Sequence, residues 1–546
     1  MAKKEQEFQY GSAFEPRPKY EKKYSVIRWG WNGLNRTDDI DTGQLTEADG
    51  VICDPPYIVP AHKYKELLNL ANGIPYGTGV LSSASKHAGI PNSIYGFGSF
   101  LYLVWHDTVA ETVSVTKFAP LRDGDGHWDE FYIGSFKMGS DLIPDPDNLR
   151  TIIKFNVVDT SSGNIAAYTY DEKVAVYPDC YSENAISYPN YTQANSFNTG
   201  GNTIPYTKYA TVYGSRVFGA NDRAVHASAY NSYVDYTLDT ANDISSAHAW
   251  YSLAQSDPEA NSGVTAVTTH DNHVVIFRKD FMQLVYNNKN PFRIVDVGKY
   301  GCDNNKAWTI LNGVLYFASS EKVYAFTGGT PKDISKKLEI SDLHGAVLGS
   351  YKDTVWMQTN SGLYTYKDGT WSDVGNMPFG GADCKVMQFA TLEYGLAALV
   401  DYHPGHNDAW GIVLFDWDTD LIDPSAEDAS AWDPVYTGTW SFETDLMALG
   451  KLDVRRVKKF TTLCEGKKNA EFSVYLFPDS APHTLDAENY NVGSVKFDAD
   501  GMKMLRVLTR QFSSTMHRLR FVGKGYVKFY AAELKISWGG DVYVEG

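Results

Sequence analysis

Two stretches carry side chains that could hold a cation. Asp123-Gly-Asp125-Gly-His127-Trp-Asp129-Glu130 sets carboxylates at alternate positions, as the first half of a calcium loop does. It lacks the third acidic position, the glycine at position six and the closing glutamate of an EF-hand, so a solvated turn accounts for it. Asp401, His403, His406 and Asp408 bring carboxylate and imidazole together around Pro404-Gly405. A Pro-Gly turn in a loop explains the same residues more cheaply. No metal, cofactor or catalytic residue is assigned.

Other chemistries leave no motif. There is no phosphate loop, Rossmann glycine fingerprint, HExxH or GxSxG. Glycosidase propellers need two converging carboxylates, but with 66 acidic residues any pair can be nominated. Sialidase-type propellers repeat a Ser-x-Asp-x-Gly-x-x-Trp turn; Tyr366-Lys-Asp-Gly-Thr-Trp371 echoes it once, and arginines are few. Cys53, Cys180, Cys302, Cys384 and Cys464 form no CxxC pair and no zinc spacing. They are expected to be small buried residues in a chain folded under reducing conditions.

The elements that carry these residues read as strands. Aromatics make up 14% of the 546 residues, with 37 Tyr and 13 Trp, which suits pleated, half-buried surfaces. Between Trp308 and Trp371 a strand–break–strand pattern occurs twice, starting at Gly313 and at Asp353. Equivalent starts at His273 and Tyr394 extend the period of 40 to 41 residues. Such a period with several short strands per unit predicts β-propeller blades. Earlier units begin near Ser93, Ile152 and Tyr209. Polar insertions over 181–205 and 237–263 interrupt them, and an acidic linker follows Asp420. The segment from Lys63 to Ala71 is the best helical candidate.

Residues 438–546 read differently. Runs at 454–464, 472–477, 504–508, 518–522, 526–530 and 533–538 alternate inside and outside, predicting a β-sandwich. The expected fold is therefore all-β: an extended N-terminal arm and wrapping segment over 1–90, an irregular six- or seven-bladed β-propeller over 91–437, and the sandwich over 438–546.

Charge follows this division. The net charge is −17, yet residues 438–546 sum to +3 and residues 1–437 to −20. A generic nucleic-acid binder would carry a basic stripe instead. Lys451, Arg455, Arg456, Lys458, Lys459, Lys467 and Lys468 form a local basic cluster. It is either a solvated sandwich edge, where lysine blocks strand addition, or a dock for an acidic neighbouring subunit. Trp29 and Trp31, flanked by glycines, either plug a face of the domain or anchor a subunit contact, where tryptophan is enriched. The first residues lack the apolar core of a signal peptide, and no apolar run approaches the ~20 residues of a membrane span. The expectation is synthesis in a reducing cytoplasm with no membrane anchor.

Four places resemble a family of tailed-bacteriophage virion β-propeller proteins. They are Trp31-Asn-Gly-Leu-Asn35 with Gly43 to Gly50, Arg216 to Ala229, Gly313 to Ser335, and Met516-His-Arg-Leu-Arg-Phe-Val-Gly-Lys-Gly525 to Leu534. The resemblance implies a non-enzymatic head–tail stabilisation or tail-nozzle protein in the virion tail. It implies a ring of copies, six being the expected number, around a DNA channel, against portal, adaptor or other tail proteins. Viral DNA would pass without sequence-specific binding, since an acidic lining repels the duplex. A receptor- or carbohydrate-binding tail-tip or fibre propeller is the alternative, and a glycoside hydrolase a more distant one.

Overall fold

The computed structural model describes residues 24–538 apart from 38–43, 62–63, 72–89, 108–111, 121–127, 138–150, 156–163, 169–173, 179–191, 195–206, 222–223, 233–234, 241, 254–262, 288, 376–383, 404–408, 419–437, 445–454, 479–486, 509–512 and 515–516. These residues form an all-β structure of many small antiparallel sheets, and none of its helices is long and apolar enough to cross a membrane.

Seven sheets of four strands follow one another along the chain. Sheet 1 spans 90–137, sheet 2 spans 151–194, sheet 3 spans 209–253 and sheet 4 spans 264–298. Sheet 5 spans 308–333, sheet 6 spans 347–375, and sheet 7 takes three strands from 385–417. The first strands of neighbouring sheets lie side by side: Ile90–Phe97 by Thr151–Phe155, that strand by Tyr209–Tyr213, and Val347–Tyr351 by Lys385–Thr391. Sheets 4 and 5 are joined by His270 Nε2 against the carbonyl of Gly313 at 2.9 Å. The round returns on itself, because Lys385–Thr391 of sheet 7 lies against Ile90–Phe97 of sheet 1. There the amide of Ile94 donates to Gln388 Oε1 at 3.0 Å.

The sequence builds each sheet by local means. Tight turns join the first two strands of sheets 4 and 5 at Asp271-Asn272 and Asn312-Gly313, all four residues having positive φ. That geometry matches the right-handed twist of flanking strands and favours Asn, Asp and Gly. Strands such as Gly395–Asp401 are buried on both faces, being covered by a sheet on each side. The four-stranded unit is larger than the hairpin read from the sequence. Weakly patterned strands complete it: Asn164–Tyr168 in sheet 2, and Trp250–Leu253 inside the stretch read as a polar insertion. Thr192–Ala194 does the same within 181–205.

One expectation is overturned outright. Lys65–Ala71 is a strand, not a helix, and it completes sheet 7 by pairing antiparallel with Ala409–Trp417. Its partner lies some 340 residues away, and the ladder of backbone hydrogen bonds outweighs a weak local helical preference.

Two further sheets combine both ends of the chain. Sheet 8 has seven strands, including Tyr24–Trp29, Val51–Asp54, Tyr57–Pro60, Arg455–Gly466, Gly501–Leu508 and Val527–Trp538. Sheet 9 runs Leu45–Asp49, Thr439–Thr444, His517–Lys524, Glu471–Pro478, Asn491–Lys496. Segments of 24–60 thus pair within sheets built mostly from 438–546. Phe460 and Phe529 of sheet 8 meet Phe442, Phe472 and Phe521 of sheet 9 in one aromatic core. The runs 526–530 and 533–538, read as two strands, are one continuous strand. A bulge opposite Leu463-Cys464 shifts the inside–outside phase between Phe529 and Ala532, which makes the sequence look broken there.

Candidate functional site

Trp29 and Trp31 lie inside the chain. Trp29 ends the strand Tyr24–Trp29, opposite Ala532. Trp31 follows on an irregular stretch held by its amide to the carbonyl of Pro56 at 3.0 Å. Gly30 between them is required by packing, since a Cβ there would stand 2.7 Å from Cβ of Pro56. Trp31 is wholly buried and meets Phe442 and Phe521 edge-on, with ring centroids 5.3 and 5.6 Å away. Both indoles therefore plug the core between sheets 8 and 9, and neither is presented outward.

Of the basic cluster, Arg455, Arg456, Lys458 and Lys459 sit on Arg455–Gly466 and Lys451 lies outside the described residues; the structure corrects one reading of the cluster. That strand is not an edge. It pairs with Val527–Trp538 on one side and with Gly501–Leu508 and Ser513–Ser514 on the other. Lysine there has no open ladder to guard. Arg455 and Arg456 pair through their backbones with Trp538 and Ser537. Lys458 and Lys459 are half-buried. Beyond the strand, Lys467 reaches Asp500 at 3.1 Å, and the amide of Lys468 donates to the same carboxylate at 2.7 Å. Sheet 8 brings the sequence-nominated residues together: Trp29 and Lys459 lie on strands flanking Val527–Trp538.

A charged cluster that sequence reading missed joins sheet 8 to sheets 6 and 7. Lys367 Nζ lies 2.9 Å from Asp54 and 2.8 Å from Asp353. Lys352 lies 3.3 Å from Asp418. Burial opposes ionisation of Asp353, but Lys367 more than offsets it, so its carboxyl sits below the usual range. Asp416 beside them is pushed up to about 6, chiefly by burial, against the pull of Lys352. These positions are scattered over more than 360 residues, and no local motif marks them. Nearby, burial also raises Asp373 despite its ion pair with Arg36 at 2.9 Å.

Of the candidate cation ligands, Asp401 accepts the amide of His403 at 2.9 Å and so caps a turn. His406, Asp408 and the stretch from Asp123 to His127 lie outside the described residues. Among the described residues, no three His, Cys, Asp or Glu side chains gather as a metal-holding set. Cys53, Cys302, Cys384 and Cys464 are free and buried. Burial raises all four thiols, Cys53, Cys384 and Cys464 to about 12. Cys180 is outside the described residues. A groove of about 520 Å³ crosses the outward face of sheet 9, between Glu471, Ser473, Ser494, Lys496 and Lys524.

No family model matches the sequence, and no curated protein matches it. Among solved structures, the chain is similar to the extracellular domain of a hybrid two-component system from B. thetaiotaomicron. Identity is 10% and the TM-score 0.39, over 88% of this chain and 60% of that one. It is also similar to BBS1N, solved in complex with ARL6DN, at 10% identity and a TM-score of 0.35, over 65% of this chain and 97% of that one. The chain thus spans less than two thirds of the first protein, and at TM-scores below 0.5 neither protein's role transfers to it.

Proposed function

We propose that this chain is a non-enzymatic structural protein of a phage tail or head–tail connector. In this reading sheets 1 to 7 are the blades of a seven-bladed β-propeller closed by Lys65–Ala71. Sheets 8 and 9 are a β-sandwich fixed to its side. Copies form a ring around the DNA channel, stabilise packaged DNA and guide its passage.

The observation that carries the proposal is the double use of the N-terminal segment. Strands within 24–60 complete sheets 8 and 9, and the next strand completes sheet 7. One stretch of chain therefore ties both parts together, as a subunit of a rigid conduit requires. Scaffold needs rigid, closed sheets with no exposed ladder. The charge of −20 outside residues 438–546 supports passage of DNA without capture. Imaging of assembled particles tests the reading. A closed ring of copies beneath the portal is expected; a monomer, or copies only on fibres, overturns it.

The groove on sheet 9 favours a second reading, a receptor- or carbohydrate-binding tail-tip protein. Its hydroxyl, carboxylate and ammonium groups suit polar ligands. Glycan-array binding by the isolated protein would support it.

A further inference from the structure

The outward faces of sheets 8 and 9 differ in kind. Sheet 8 turns the apolar side chains of Met502, Met504 and Leu508 to solvent. Sheet 9 turns out hydroxyls and charge, which strand register arranges in two rows. One row reads Thr439, Lys524, Glu471, Lys496, and the next reads Ser441, Val522, Ser473, Ser494. The groove of about 520 Å³ runs along them, a volume within the range of ligand sites. Neighbouring strands stand about 4.8 Å apart, so a row of four spans roughly 14 Å, the length of a short oligosaccharide. Val495 and Val522 add apolar surface among the hydroxyls.

The polar groups of the groove are not all satisfied within the chain. Lys524 Nζ lies 2.8 Å from Glu471, and this bond holds the Glu471 carboxyl below its usual range, with Lys496 adding a weaker pull. Ser473 Oγ and Ser494 Oγ share a hydrogen bond at 2.8 Å, which leaves one of the two hydroxyl protons to donate outward. Thr439 and Lys496 stand exposed, and Lys496 Nζ pairs with no carboxylate among the described residues. The groove thus sets one uncompensated cation beside a run of hydroxyls. A single carboxylate lines it, one short of the pair that glycoside cleavage uses, so its chemistry is binding and not cutting. One ammonium is too little for the phosphate backbone of nucleic acid, and no exposed aromatic ring lines the groove for a base to stack on. We propose that this groove binds an acidic polysaccharide, with Lys496 on the carboxylate of a uronic acid and Thr439, Ser473 and Ser494 on sugar hydroxyls. The proposal rests on the carbohydrate-binding reading above and names its ligand class.

Affinity electrophoresis of the full chain tests this, in native gels cast with polygalacturonate, neutral dextran or single-stranded DNA. Retardation is expected in polygalacturonate and in neither of the others, and it should weaken at high salt. Lys496→Gln should weaken it about tenfold, as the loss of one charge-assisted hydrogen bond does. Ser473→Ala with Ser494→Ala should also weaken it, while Met504→Ser on sheet 8 should leave it intact. These side chains lie at the surface, so circular dichroism should match the wild type throughout. Polygalacturonate binding that Lys496→Gln leaves unchanged overturns the inference. So does equal retardation by DNA, which marks attraction to any polyanion. Binding to dextran but not to polygalacturonate overturns the inference and leaves the carbohydrate-binding reading standing. No retardation by either polysaccharide, together with a glycan array that binds nothing, overturns both.

Discussion

Arg36 sets its guanidinium 2.9 Å from the carboxylate of Asp373, 337 residues further along, and reaches the hydroxyl of Tyr364 at 3.4 Å. The pair ties the N-terminal segment to sheet 6, beside the backbone bond from the amide of Leu34 to the carbonyl of Trp371 at 2.8 Å. Arg36→Ala leaves a largely buried carboxylate without its countercharge. We expect a loss of about 2 kcal/mol in urea unfolding, less than for a fully buried pair because Arg36 is partly exposed. A loss under about 0.5 kcal/mol would show that solvent screens the pair.

Trp31→Ala should cost about 3–5 kcal/mol, since it opens a cavity between Phe442 and Phe521 that neither sheet can close. Thermal unfolding reads the loss. Trp31→Phe, which keeps an aromatic edge, should retain a good part of it. A near-silent Trp31→Ala would mean that the indole does not plug the core.

Leu67 is buried in the cluster shared by sheets 1 and 7, alongside Ile94 and Leu399. Leu67→Ala should destabilise by about 2–4 kcal/mol. Hydrogen exchange should show the effect locally, with faster amide exchange in Ala409–Trp417 than in sheet 5. Uniform exchange in both would argue that Lys65–Ala71 does not seal sheet 7.

Asp416 gives a pH dependence with a defined sign. Its folded value of about 6 lies above the ordinary carboxylate value of 3.8. Its neutral form is therefore favoured by folding, and that stabilisation is full below about pH 4 and lost as pH rises through 6. Asp416→Asn should remove this loss and raise stability at pH 8 by about 2 kcal/mol, with little change at pH 4. A variant that is less stable than wild type at pH 8 would mean that Lys352 holds the ionised form after all.

The buried thiols should resist alkylation. Peptide mapping after iodoacetamide is expected to find Cys53, Cys302, Cys384 and Cys464 unmodified in the native protein and modified in urea, because thiolate is the reacting form and burial disfavours it. Native labelling at Cys53 would show that the seam between sheets 6 and 8 opens.

Much of the repeat was legible because its determinants are local. The starts at His273, Gly313, Asp353 and Tyr394 fall within a residue of the second strands of sheets 4 to 7, since each strand meets its partner across a short turn. The fourth strands were harder. Trp250–Leu253 is only four residues long with an alternating half-exposed pattern, and its identity comes from pairing with Ala224–Ala227. The charged seam of Asp54, Asp353, Lys367 and Asp416 could not be read at all, because proximity between distant segments leaves no local spacing.

By itself, the sequence determined a strand-rich chain, a period of about 40 residues and a charge divided between residues 1–437 and 438–546. Those follow from composition, alternation and turn chemistry, which act over a few residues. Only the tertiary structure decided which strand completes which sheet. It turned Lys65–Ala71 from a helical pattern into the last strand of sheet 7. It placed the basic strand Arg455–Gly466 at the middle of a sheet rather than at its edge. It spent Trp29 and Trp31 in the core and left Met502, Met504 and Leu508 outside. The physical reason is the same in each case. A strand's hydrogen bonds and one of its faces are satisfied by another segment, and where that segment lies hundreds of residues away, nothing nearby in the chain records it.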